Sequence, residues 1–202
     1  MACLVWRLDP PLRSLSTASV GGGIGARNWV VNAQVGRDYD RRDVEAHVAE
    51  LAAALDLRGP GVGMLTAADL TGSLAVAEEG DVRVEVTVGL ALPVWAAAKD
   101  DDAAVSVAGA VRPGTVNVVA YVPVRHSDAA LANLLCTVTE AKVQALHDGG
   151  VEGTGTASDA VTVLCPVTGP VEPFGGPRST FGVPMARGVY AALRSGIGRA
   201  GE

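Results

Sequence analysis

The chain predicts an α+β domain, a mixed and largely antiparallel sheet with about three helices packed on it. Three observations carry this. Val82, Val84, Val86, Val88 and Leu90 alternate with Arg83, Glu85, Thr87 and Gly89, the two-residue period of a strand with one buried face. Segments 43–55 and 127–147 instead repeat apolar residues at helical spacing. Six or seven strand-like stretches are counted in all, and the strongest lie next to one another with helices after them.

Taken in order, Cys3–Trp6 reads as a short strand stopped by Asp9-Pro10-Pro11, with Leu15–Val20 as its partner. Gly21, Gly22, Gly23 and Gly25 mark a turn or a close approach to a ligand. Asn28–Val35 is a strand with Val30, Asn32 and Gln34 on one face and Trp29, Val31, Ala33 and Val35 on the other. A helix follows, capped by Asp40 with Asp43 three residues on. Val44, Val48, Leu51 and Leu55 form its buried stripe, and His47 beside them reads as a structural residue. Gly59-Pro60-Gly61 ends that element, and Val62–Ala68 is a mostly buried strand.

Gly80-Asp81 turns into the alternating strand, and residues 93–113 are less regular, with Asp100, Asp101 and Asp102 as a solvated acidic tip. Thr115–Val124 is a strand with Val116, Val118, Ala120 and Val122 on one face and Asn117, Val119 and Tyr121 on the other. Ser127 caps a helix to about His147, whose apolar face is Leu131, Leu134, Leu135, Val138 and Ala145. Asn133, Thr137, Glu140 and Gln144 form a separate polar stripe, poor enough in charge to suggest the lining of a cleft. Gly149-Gly150 ends the helix. Val161–Cys165 is a strand, Gly169–Pro177 a loop or flap, and about Pro184–Arg194 a last helix docking through Val189, Ala192 and Leu193.

The 202 residues suffice for a sizeable core. With 49% hydrophobic but only 4% aromatic residues, Val, Ala and Leu must build it. A net charge of −6 and scattered Lys and Arg argue against nucleic acid as a partner. Cys3, Cys136 and Cys165 are odd in number and lack CxxC spacing, so neither a disulfide framework nor a four-thiolate zinc site is expected. A reduced, cytoplasmic setting fits. Asp9, Pro10 and Pro11 interrupt any signal-peptide core, and no apolar run is long enough for a membrane span. There is no internal repeat, and one domain over 1–199 with a disordered tail over 200–202 is expected.

The stretch from Glu152 to Ala160 gathers the chemistry: Thr154, Gly155, Thr156, Ser158 and Asp159 within six positions, followed at once by an apolar strand. Glycine allows unusual backbone shapes, and hydroxyls and free N–H groups can bind a ligand. A phosphate loop is disfavoured, because helix precedes and strand follows this loop and no Lys closes it.

These pieces together resemble the adenosylcobinamide amidohydrolase family of prokaryotic corrinoid salvage. The resemblance rests on Gly21–Gly25, Asn32 with Val35 and Tyr39, Gly63-Met64-Leu65-Thr66-Ala67, Thr87-Val88-Gly89-Leu90, Gly114-Thr115-Val116-Asn117, Glu140-Ala141-Lys142 and Thr154–Ala160, in the family's order over about 15–165. Two positions depart: Ala157 stands for a Gly of the family's loop and Ser158 for a Thr. Ser keeps the hydroxyl, whereas Ala157 would be strained if that position needs positive φ. The resemblance implies hydrolysis of the amide between the cobyric acid part and the aminopropanol arm of a corrinoid. No cofactor and no protein metal site are implied, since the cobalt belongs to the substrate; a homo-oligomer is left open.

Amide hydrolysis needs an activated water or hydroxyl, donors for the oxyanion, and a proton for the leaving amine. No Ser-His-Asp set is visible around His47, His126 and His147, nor any HExxH cluster. Asp159 or Glu140 is therefore expected as general base, with Ser158, Thr156 and loop N–H groups at the oxyanion and Lys142 as charge partner. Gly22, Gly23, Asn32, Thr66, Asn117, Thr154 and Gly155, with Lys142, are expected at the substrate. Trp29, Tyr39 and Trp95 are candidates to pack on a flat ligand. Two other readings compete: a non-catalytic corrinoid- or nucleotide-binding protein, and a hydrolase whose threonine nucleophile is exposed by self-cleavage before Thr154 or Thr156.

Overall fold

The computed structural model describes residues 1–98 and 114–200. Its elements are β1 (Cys3–Ser16), β2 (Gly23–Gln34), α1 (Val44–Ala54), β3 (Gly61–Thr66), α2 (Leu70–Ser73), β4 (Leu74–Glu79), β5 (Val82–Val88), β6 (Val116–Tyr121), α3 (Asp128–Asp148), β7 (Ala160–Pro166) and α4 (Gly182–Ala200). The seven strands form one sheet in the order β3-β2-β1-β7-β6-β5-β4. The pairs β1–β2, β1–β7, β4–β5 and β5–β6 are antiparallel, while β2–β3 and β6–β7 are parallel. The expected α+β class is the observed one. The acidic tip at Asp100–Asp102 and the last residues of the tail lie outside the described residues.

The N-terminal prediction needs correction. Asp9-Pro10-Pro11 does not stop a strand. It forms a register shift within β1, between Arg7 opposite Trp29 and Leu12 opposite Arg27. Proline cannot donate to a ladder, and a bulge is where a strand tolerates that loss. The partner of β1 is β2, through the glycine turn in which Gly21 and Gly23 take φ of 68° and 75°. Thr17–Val20 crosses toward β3 instead, where the Gly63 N–H donates to the Val20 carbonyl at 3.0 Å. The sequence also concealed α2 and β4, because Leu74–Glu79 has weak alternation and gains its register from the hairpin with β5.

The sheet folds over on itself. In a flat sheet, strands three or four places apart are separated by roughly 14–19 Å. Yet Thr162 Oγ1 of β7 lies 3.8 Å from Met64 Sδ of β3. Likewise Asn117 of β6 donates to the Leu65 carbonyl of β3 at 3.2 Å, and Asn32 of β2 to Thr87 Oγ1 of β5 at 2.9 Å. The half β1-β2-β3 therefore covers the inner face of β5-β6-β7.

Three packed cores follow from strand alternation. Val84, Val86, Val118, Ala120, Val161 and Val163 point outward to Leu131, Leu134 and Val138 of α3 and Val189 and Leu193 of α4. Val30, Val62, Met64, Val119 and Leu164 fill the space between the sheet halves. Trp29 and Val31, on the other face of β2, meet Val48 and Ala52 of α1. The Asp40 cap is not realised: Asp43 holds the N-cap position without a side-chain cap bond, its carboxylate taken by Arg41. His47 is buried and bonds Tyr39 Oη at 2.9 Å, in keeping with a structural residue.

Candidate active site

Helix α3 begins at Ser127, whose hydroxyl accepts from the Ala130 N–H at 3.1 Å. It ends at Gly149, and Gly150, at φ 73°, lets the Val151 N–H reach back to the Leu146 carbonyl at 3.0 Å. This C-cap reverses the chain into the loop 152–159, which β7 then carries into the middle of the sheet. Ala157 is not strained there, since Asp56 is the sole non-glycine residue of positive φ among the described residues.

Asp159 organises the loop. Its Oδ1 accepts from the Thr156 hydroxyl at 2.6 Å and from the Val116 N–H at 2.9 Å. Its Oδ2 accepts from the Thr156 N–H at 3.1 Å and from Lys142 Nζ at 2.5 Å. Lys142 rises from α3, and both side chains of this ion pair are about nine-tenths buried, at 9% and 10% exposure. A carboxylate has about four lone-pair sites, so each is engaged. Gly155 is required beside the pair, because a Cβ there would run into the Asp159 carboxylate and the Lys142 ammonium.

Ser158 Oγ lies 2.8 Å from Thr115 Oγ1, and Ser158 is exposed at the loop's tip. Thr154 serves a different neighbour. Its N–H donates to the Val94 carbonyl at 2.9 Å, the Val94 N–H donates to the Gly155 carbonyl at 2.8 Å, and its hydroxyl accepts from the Ala96 N–H at 2.9 Å. These bonds hold Trp95 beside the loop, half exposed at 52%.

A cavity of about 380 Å³ opens against this loop, walled by Thr17–Ser19, Gly63–Leu65, Val44, Asn117 and Ala157–Ala160. Polar groups run behind it. Asn117 Nδ2 donates to Asn32 Oδ1 at 2.9 Å, and Ser16 Oγ lies 2.8 Å from Thr162 Oγ1.

Of the residues predicted from sequence, Asn117, Ser158 and Asp159 reach this cavity, and Thr156, Gly155 and Lys142 stand directly behind Asp159. Asn32 lies one bond further back. Glu140 does not join them. It is exposed on α3, as are Asn133 and Gln144, while Thr137 is buried and donates to the Gly175 carbonyl. The polar stripe is thus a solvent face with one inward hydroxyl. Gly22 and Gly23 belong to the β1–β2 turn, and Thr66 caps the end of β3 by accepting from the Ala68 N–H. The expected flap at Gly169–Pro177 is tied down through Thr137 and through Glu172, which bridges Arg125 and Ser127. Trp29 is buried with its indole N–H on the Gly59 carbonyl, and Tyr39 stacks on His47, so Trp95 is the exposed member of the aromatic trio.

None of the three histidines lines the cavity, and among the described residues no group of three or more His, Cys, Asp or Glu gathers to hold a metal ion. Thr17 and Ser19 line the cavity although the sequence did not single them out. The small polar run Thr17-Ala18-Ser19 before the glycine turn is their signal in the sequence, masked by the strand-like residues Leu15 and Val20 that flank it.

Fold and site define an α+β protein with a small cavity of mixed polar and apolar lining, walled on one side by the end of a loop that a buried carboxylate–ammonium pair holds in place. Comparison with known proteins gives the family. The chain belongs to the adenosylcobinamide amidohydrolase (CbiZ) family, whose model matches residues 1–202. It is 27% identical to an adenosylcobinamide amidohydrolase of Methanosarcina mazei over 195 residues, covering 92% of this chain and 90% of that protein. It is 34% identical to an adenosylcobinamide amidohydrolase of Halobacterium salinarum over 122 residues, 60% of this chain and 52% of that one. The resemblance read from the motifs is therefore the family found by comparison. No helix among the described residues is long and apolar enough to cross a membrane.

Proposed function

We propose that this protein hydrolyses the amide between the cobyric acid part and the aminopropanol arm of adenosylcobinamide, releasing adenosylcobyric acid and the amino alcohol for cobalamin salvage. The family match over residues 1–202 carries this reading. Water adds its oxygen to the amide carbonyl carbon, the C–N bond breaks, and a proton passes to the departing nitrogen. The reading needs no resident cofactor, because cobalt arrives with the substrate. Three free cysteines support a reducing, cytoplasmic setting.

The cavity's size divides the substrate. A corrin macrocycle with its peripheral amides does not fit in about 380 Å³, whereas a single arm does. The arm enters and the ring stays outside, and Trp95, an exposed aromatic held beside Thr154 and Gly155, is the face assigned to the ring. Ser158, exposed on the cavity wall, supplies a hydroxyl to the reacting carbonyl, and loop N–H groups add donors. Asp159 acts mainly as the loop's anchor, because each of its lone pairs already has a donor. Lys142 is its charge partner, and Thr156 completes the anchor. Glu140 is set aside as base for its solvent-facing position.

The test is mass spectrometry of adenosylcobinamide incubated with the purified protein. Gain of one water with loss of the amino alcohol supports the hydrolase; binding with unchanged ligand mass refutes it and indicates a carrier.

A further inference from the structure

Asn117 is 2% exposed, lines the cavity, and carries a buried Oδ1 with no hydrogen-bond partner. The amide cannot simply be turned over. Its Nδ2 donates both to Asn32 Oδ1 at 2.9 Å and to the Leu65 carbonyl at 3.2 Å. A main-chain carbonyl only accepts, so Leu65 dictates which branch is the nitrogen. Asn32 is fixed in turn, because its Oδ1 must accept from that Nδ2, which leaves its own Nδ2 to donate to Thr87 Oγ1. The chain Thr87–Asn32–Asn117 thus ends in a fixed, unpaired acceptor on a residue that lines the cavity. A buried acceptor without a donor is costly and rare, and a ligand that supplies the donor recovers that cost.

We infer that Asn117 Oδ1 accepts the N–H of the scissile secondary amide and thereby sets which way the amide enters; this rests on the hydrolase reading. An amide presents one donor and one acceptor on opposite sides. If its N–H meets Asn117 on β6, its carbonyl oxygen, an acceptor, is turned away from Asn117. Ala160 is the register partner of Asn117, and Ser158 lies two residues before it on the same wall. The carbonyl oxygen then faces the hydroxyl and N–H groups of the loop. The nitrogen also loses planarity as water adds. With its N–H held by Asn117, its new lone pair points away from that side chain, which fixes where the leaving amine takes up its proton. Asn117 is a residue of orientation: it selects ligands that carry an N–H at the cleavage point over isosteres that lack one.

The test compares the substrate with its ester analogue, in which oxygen replaces the N–H, for wild type and Asn117→Ala. Intrinsic ester reactivity is common to both proteins, so it cancels when the amide-to-ester ratio of kcat/KM is compared between them. That ratio falls by about 10-fold or more in the variant if Asn117 reads the N–H; an unchanged ratio overturns the inference. Should Asn117→Ala fail to fold, wild type alone decides it. Stopped-flow titration before turnover will show cobinamide binding about 10-fold or more tightly than an analogue with CH₂ for NH, and equal affinity overturns the inference. Absence of any amide turnover by folded wild type sinks the hydrolase reading itself, whereas turnover with an unchanged ratio sinks only the role of Asn117.

Discussion

Replacing Asp159 by Asn separates an anchor from a base. The two carboxylate oxygens of Asp159 face four donors, with Lys142 and the Thr156 N–H on Oδ2 and Val116 and the Thr156 hydroxyl on Oδ1. Asn keeps one oxygen. Facing it toward Lys142 and the Thr156 N–H points its NH₂ at the Val116 N–H, a donor against a donor. The Thr156 hydroxyl can rotate to accept; Val116 cannot. The Lys142 charge is also left without its counter-ion at 9% exposure. Breaking a buried pair by removing one partner costs about 3–5 kcal/mol, and the orphaned N–H is part of that disruption rather than an addition to it. For a chain of this size each kcal/mol moves Tm by about 2–4 °C, so a drop of roughly 6–20 °C is expected. Differential scanning calorimetry beside a hydrolysis assay measures both consequences. A second variant, Lys142→Met, should lower Tm alone but cost less when added to Asp159→Asn, because no lone buried ammonium then remains. An Asp159→Asn protein with unchanged Tm and no activity would refute the anchor and restore Asp159 as the general base.

Other consequences follow from burial and charge. Trp95→Ala should leave Tm nearly unchanged but raise KM by about 10-fold through loss of an aromatic face, which steady-state kinetics will show; equal KM removes Trp95 from the ring's resting place. Burial pushes the Cys165 thiol up from its ordinary value, while Cys136 is exposed. A thiol reagent followed by peptide mapping should therefore label Cys136 in native protein and Cys165 only after denaturation. The Arg41 guanidinium, and then its own backbone, hold the Asp43 carboxyl down to about 2 from an ordinary 3.8. A depressed carboxyl adds stability that is present above its unfolded value and is lost as pH falls through its folded one. At low salt, wild type should therefore lose Tm more steeply than Asp43→Asn as pH falls from 3.8 toward 2; parallel curves would contradict the pairing.

Much of the fold was legible locally. The alternation in Val82–Val88 marked a strand and its apolar buried face, Val116–Tyr121 sorted onto two faces that both proved buried, and Ser127 with Gly149-Gly150 bracketed α3 almost to the residue. These signals arise from contacts a few residues apart, where periodicity and capping chemistry act directly. The loop was legible for the same reason, since Thr156 and Asp159 bond three positions apart. What failed involved distant partners. Asp9-Pro10-Pro11 reads as a stop until β2 offers a register into which the surplus residues bulge. Glu140 and Lys142 are two residues apart on one helix, and only packing against the sheet decided that Lys142 turns inward and Glu140 outward.

The sequence by itself determined the α+β class, the chemistry-bearing loop and the family, because those depend on residue type and near spacing. Tertiary structure alone decided that the sheet curls until β2 and β3 cover β5 and β6, which brings Asn32, Thr87 and Asn117 into one hydrogen-bonded line. Side chains separated by 85 positions meet there only because strand twist and the three cores close the space around them.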